Sequence, residues 1–121
     1  MKKKIFKTEK EFETYIWKNL YKMTGFKPIS RQFYFRYLKP NDIGSGKACR
    51  IDILAKNNGN LLIIEIKKKA NKRTFDEIEY YANCFEKIFK IKPLKAIASI
   101  KSNDLNYSEC LDKKVMYLYY K

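Results

Sequence analysis

The chain has 121 residues, 45% of them hydrophobic, which suits one domain with a sizeable core. Its 27 Lys and Arg against 13 Asp and Glu give a formal net charge of +14, a field that attracts polyanions such as nucleic acid. It contains no His, which excludes a Ser-His-Asp triad, a Cys-His pair and any histidine base or metal ligand.

Only four of the basic residues are Arg, a bias that an AT-rich genome produces by itself. That bias explains Lys over Arg, but not the twofold excess of bases over acids. An anionic membrane surface is the competing partner, yet no basic amphipathic helix stands out for it. Cys49, Cys84 and Cys110 form neither a zinc pattern nor a disulfide framework and read as partly buried free thiols in a reducing cytosol. The start Met1-Lys2-Lys3-Lys4 resembles a signal peptide, but Lys7, Glu9, Lys10 and Glu11 interrupt any apolar region after it. No run approaches transmembrane length, so the expectation is a cytoplasmic protein without a membrane partner.

In chain order, Thr8 followed by Glu11 has the spacing of a capping box and predicts a helix start. Phe12, Ile16 and Leu20 give that helix an apolar stripe with Trp17 beside it, and Gly25 should end it. Residues 31–38 are aromatic and alternating, which predicts a strand. Residues 40–47, with Gly44-Ser45-Gly46-Lys47, read as a flexible loop. It is not a Walker A loop, because position 41 is Asn and Ala48 follows the lysine. Residues 75–89 place Phe75, Ile78, Ala82, Phe85 and Phe89 at helical spacing. Short strands are expected at 96–100 and 115–120. No repeat or linker breaks this order, so residues 1–121 form one α/β domain.

Between loop and second helix lie two apolar runs, Arg50-Ile51-Asp52-Ile53-Leu54-Ala55 and Leu61-Leu62-Ile63-Ile64-Glu65-Ile66-Lys67. They flank Asn57-Asn58-Gly59-Asn60 and predict a β-hairpin. Asn-Gly suits both central positions of a type I′ turn, which tolerate positive φ. With Asn58-Gly59 at the tip, Asn57 faces Asn60, Lys56 faces Leu61 and Asp52 faces Glu65. Alternation then sends Arg50, Asp52, Glu65 and Lys67 to one face. Ile51, Ile53, Leu62, Ile64 and Ile66 fill the other. Continuous apolar runs of this kind suit a sheet covered on both sides.

Directly opposed carboxylates lie about 5 Å apart. They repel by about 3 kcal/mol at an effective dielectric near 20. A shared proton, a neighbouring cation or a metal ion must relieve that. Mg²⁺ is commonly held by one or two carboxylates with water and phosphate oxygens, and this patch supplies the carboxylates. The alternative is a partly buried salt-bridge cluster in which Arg50 and Lys67 neutralise the acids.

Asp52, twelve residues, then Glu65-Ile66-Lys67, set in a helix–strand–hairpin–helix–strand order, resembles the PD-(D/E)xK nuclease superfamily. The resemblance spans roughly residues 8–100 and is strongest to small archaeal and bacterial DNA endonucleases, including Holliday-junction resolvases. It implies a restriction-endonuclease-like core, a mixed β-sheet flanked by helices in αβββαβ order. It also implies a metal-dependent DNA endonuclease using Mg²⁺ or Mn²⁺, with Asp52, Glu65 and the Ile66 carbonyl as ligands. Lys67 would assist the attacking water. Many members add an acid from the first helix, here Glu9, with Glu13 as the alternative.

Two departures stand out. Ile51 replaces the Pro before Asp52, and Glu77, four residues before Tyr81, stands where many relatives have Gln. Arg50, Lys47, Lys68, Lys69 and Arg73 are candidate contacts to the DNA backbone, Lys47 with the loop before it. A solvated charge run is the alternative for the three that follow Lys67. Tyr34, Tyr37, Tyr80 and Tyr81 are candidates for stacking on unpaired bases, against plain packing. Three functions stay open: an endonuclease for branched or single-stranded DNA, a resolvase acting as a homodimer, and a non-catalytic nucleic-acid-binding module.

Overall fold

The computed structural model describes residues 6–37, 47–102 and 107–119. Helix α1 (Glu9–Thr24) begins where Thr8 Oγ1 accepts the Glu11 N–H at 3.1 Å. The reciprocal arm is displaced by one residue, since the Glu11 carboxylate accepts from the Lys7 N–H. The helix stops at Gly25, whose φ of 80° lies in the left-handed region and whose N–H donates to the Tyr21 carbonyl. A Cβ at Gly25 would have room, its nearest neighbour being Asn57 Nδ2 at 3.8 Å. Gly25→Ala therefore acts through the backbone alone. We expect it to cost about 1–2 kcal/mol, read as a lower urea midpoint with an unchanged slope.

Five strands form one sheet in the order β1 (Lys27–Tyr37), β2 (Lys47–Asn57), β3 (Asn60–Ala70), β4 (Leu94–Ser102), β5 (Val115–Tyr119). The pairs β1–β2 and β2–β3 are antiparallel, while β3–β4 and β4–β5 are parallel. Helix α2 (Lys72–Phe89) links β3 to β4, and a short α3 (Tyr107–Asp112) links β4 to β5. This is the expected mixed sheet flanked by helices, with longer strands and one helix more than the sequence predicts. The 40–47 loop lies outside the described residues, apart from the backbone of Lys47 at the head of β2.

The hairpin has the predicted turn and register. Asn58 and Gly59 have φ of 47° and 87°, as a type I′ turn needs. Pairing runs from Asn57↔Asn60 to Ile53↔Ile64. The next ladder bond would take the Ile66 N–H to the Ile51 carbonyl. Instead that N–H donates to Asp52 Oδ2 at 2.8 Å. The side chain replaces a backbone acceptor, and the two strands fork there.

Each face of the sheet carries its own core. On one, Phe12, Ile16 and Leu20 of α1 pack over Ile53, Leu62, Ile64 and Ile66. On the other, Phe75, Ile78, Ala82 and Phe85 of α2 pack over Ile51, Leu54, Ile63 and Ile97. Ile51 thus departs from the expected grouping with Ile53. The reason is a break in alternation at Asp52. Its opposite number in β1, Gln32, has φ of 52° and drops out of the pairing between Arg31↔Ile53 and Phe33↔Ile51. Both strands change face at this point, so Arg31 meets α1 while Phe33 and Phe35 join the α2 side.

Phe89 also differs from expectation. At the last turn of α2 it is 40% exposed, resting on Phe85 with ring centroids 4.5 Å apart. All three cysteines are buried thiols outside any disulfide. Among the described residues, no helix is long and apolar enough to cross a membrane.

Candidate active site

The fork between β2 and β3 is where charge enters the core. Asp52 and Glu65 are only 3% and 4% exposed. Burying an ionised carboxylate is costly without compensation, so the partners of each define what the site can do. Three strands serve Asp52. Ile66 of β3 donates to Oδ2, Arg50 of β2 places Nε 3.4 Å from Oδ1, and Gln32 of β1 places Nε2 3.4 Å from Oδ1. Burial still pushes the Asp52 carboxyl above its ordinary range, although the Ile66 N–H and the Arg50 guanidinium pull it back. Glu65 hydrogen-bonds Asp52, and burial together with that neighbouring charge raises it from 4.5 to about 9. Burial thus displaces both carboxyls toward the protonated form.

Lys67 completes the Glu-x-Lys triplet. Its ammonium lies 3.9 Å from Glu65 Oε1 and 3.0 Å from Glu77 Oε2 of α2. Burial works to lower its pKa, but Glu77, Glu65 and Glu9 outweigh it and hold Lys67 above the ordinary lysine value. It therefore stays a cation. Glu77 thus clamps the lysine from α2.

Helix α1 contributes two acids, and the structure separates their roles. Glu9 is exposed, and its Oε1 accepts the Lys68 N–H at 3.1 Å, just past the triplet. Glu13 is 7% exposed and tied up: Arg31 Nε and Nη2 donate to Oε2 at 2.9 and 2.7 Å, and Gln32 Nε2 to Oε1 at 2.7 Å. Glu9, Glu13, Arg31, Gln32, Arg50, Asp52 and Ile66 line a cavity of about 660 Å³ between α1 and the sheet. Glu65, Lys67 and Glu77 approach from the α2 side. The four charged residues expected on one face are thus divided at the fork, because alternation breaks at Asp52.

Of the candidate backbone contacts, Arg50, Lys68, Lys69 and Arg73 are exposed, and Lys47 is described only through its backbone. Tyr34, paired across β1–β2 with Arg50, is exposed and hydrogen-bonds its guanidinium. Tyr81 is half-buried, and burial and the acids Glu65 and Glu77 raise its pKa. Sequence reasoning missed Gln32 and Arg31, for which no local pattern signals a role.

The donor set can be tested against a divalent cation. Two buried carboxylates in hydrogen-bond contact are hard oxygen donors of the kind Mg²⁺ and Mn²⁺ take. No cluster of three or more His, Cys, Asp or Glu placed to hold a metal occurs among the described residues. Two carboxylates plus water and phosphate oxygens suffice for Mg²⁺, so the residues fit.

Known structures share this architecture. A repair endonuclease from Pyrococcus abyssi superposes with a TM-score of 0.69 over 99% of this chain, at 16% identity. The chain shares the fold of a repair endonuclease. EndoMS in a complex with double-stranded DNA gives 0.68 over the whole chain, and EndoMS in its apo form gives 0.64 over 98%, both at 16% identity. The chain spans about half the length of these structures, 50%, 47% and 48% respectively. No family model and no curated protein matches the sequence.

Proposed function

We propose that the chain is a metal-dependent DNA endonuclease of the PD-(D/E)xK type. The observation that carries this reading is the buried Asp52–Glu65 pair at a strand fork whose Ile66 N–H fixes one carboxylate. The fold shared with an endonuclease and with a DNA-bound EndoMS supports it. Asp52, Glu65 and the Ile66 carbonyl would hold the cation. When bound, Mg²⁺ or Mn²⁺ supplies Lewis-acid charge to a phosphate oxygen.

The chain's own groups do the rest. Lys67, kept protonated and clamped by Glu77, places positive charge beside the site and orients the attacking water. Arg50 reaches from the sheet into the α1-side cavity, where it meets backbone phosphate. Lys68, Lys69 and Arg73 extend that basic surface past the triplet. Glu9, bound to the Lys68 N–H, holds α1 against this end of β3.

The experiment is a panel of labelled DNAs (duplex, single strand, flap and four-way junction) with Mg²⁺, Mn²⁺ or EDTA. We expect cleavage with either metal and none with EDTA. Lys67→Ala should slow it about 10²-fold or more, the range of a positioned proton-transfer or charged group. Paired nicks placed symmetrically across the junction would identify a dimeric resolvase. Tight, salt-sensitive binding without cleavage of any substrate would overturn the catalytic reading in favour of a binding module.

A further inference from the structure

Gln32 holds an improbable backbone for a residue within a strand. Its φ of 52° lies in the left-handed region, which Gly and Asn adopt far more readily. Strain of this kind persists where the surroundings over-determine it, and it gathers at functional sites. Here the surroundings are specific. Gln32 stands opposite Asp52 at the point where β1 and β2 both change face. Its amide is turned inward, with Nε2 2.7 Å from Glu13 Oε1 and 3.4 Å from Asp52 Oδ1. Glu13 is in turn fixed by Arg31, the residue before Gln32, so the whole unit is anchored to α1.

An ordinary extended residue at position 32 would keep the ladder intact and preserve the alternation of both strands. The left-handed backbone instead interrupts the ladder and delivers one N–H₂ group between two buried carboxylates. That group is a donor on both sides, which an acid pair needs and a carboxylate or hydroxyl could not supply as well. It leaves Asp52 with its orientation set from β1, β2 and β3 together.

We infer that Gln32 is a positioning residue for the proposed nuclease, its amide bridging Glu13 and Asp52 so that the Asp52 carboxylate is held in one orientation for the cation. The inference rests on the nuclease reading and adds to it a residue outside the Asp-Glu-x-Lys constellation. Outer partners of metal-ligating carboxylates typically govern 10–100-fold in affinity or rate.

Two substitutions separate this role from a purely structural one. Gln32→Gly removes the amide but accepts positive φ freely, whereas Gln32→Ala removes the amide and keeps the strain. Isothermal titration of Mn²⁺ and cleavage kinetics on the best substrate of the panel would be measured for both, alongside thermal melting. We expect both variants to lose about 10–100-fold in Mn²⁺ affinity and in kcat. KM for DNA should be unchanged, because Arg50 and the exposed lysines are untouched. Gln32→Gly should melt within about 5 °C of the wild type and Gln32→Ala lower. A wild type that binds Mn²⁺ and cuts, matched by Gln32→Gly in affinity and kcat, overturns the inference and leaves the nuclease reading standing. A wild type that neither binds Mn²⁺ nor cuts overturns both.

Discussion

Glu65→Gln is expected to lower metal-dependent cleavage about 10³-fold or more while leaving the metal-free protein no less stable than the wild type at pH 7. The two halves of this result have different causes. Without metal, Glu65 already carries a proton at neutral pH, since burial and Asp52 raise it to about 9. The amide is the same shape, equally neutral, and keeps an N–H to donate to Asp52. It therefore replaces like with like in the resting site, and the Ile66 bond to Asp52 at 2.8 Å is untouched. A cation changes the comparison. To hold one, Glu65 would give up its proton and offer a carboxylate charge, which an amide cannot. Lewis-acid stabilisation of phosphoryl oxygens supplies several kcal/mol, and about 4 kcal/mol corresponds to a factor near 10³. Single-turnover cleavage and thermal melting at pH 7 read the two halves separately. A wild-type rate in this variant would remove Glu65 from the metal ligands. A large drop in melting temperature would show that the acid, not its protonated form, belongs to the resting core.

What the sequence made legible was local or set by a period. Asn58-Gly59 pins the hairpin, so register and the meeting of Asp52 with Glu65 follow from two turn residues. Thr8 and Gly25 bracket α1 because cap chemistry is written in single residues. Helix α3 is six residues long, too short for a period to emerge. Phe89 keeps the helical spacing of Phe85 yet lies half outside, because spacing tells which way a residue points and not where the sheet beneath it ends. The face change at Asp52 was hidden for a deeper reason. It depends on a left-handed backbone at Gln32, which the surrounding carboxylates and Arg31 impose and no neighbouring residue announces. The clamp of Glu77 on Lys67 is likewise a contact between a strand and a helix, and one-dimensional spacing does not encode it.

Stability of the metal-free protein should fall as pH rises from about 5 to about 9, contrary to the usual behaviour of a domain with buried, paired carboxylates. The unfolded chain releases the Glu65 proton near 4.5, whereas the native protein keeps it to about 9. Between those values the native state binds more protons than the unfolded state, so each rise in pH favours unfolding. The contribution is fully present below 4.5 and is lost as pH climbs through about 9, with a limiting slope of about 1.4 kcal/mol per pH unit. Asp52, also displaced upward, adds in the same direction. Repulsion within a chain of net charge +14 eases only when lysines begin to lose protons, near pH 10, so it does not cancel the trend inside this window. Urea titrations at intervals from pH 5 to 9 measure the slope. Glu65→Gln should flatten it, because the amide has no proton to keep. Saturating Mn²⁺ should flatten it as well, and the rise in melting temperature that Mn²⁺ gives should grow with pH, since the cation competes with a proton that leaves more easily there. A wild-type curve that stays level across this range, with a metal effect independent of pH, would mean that Asp52 and Glu65 share no proton.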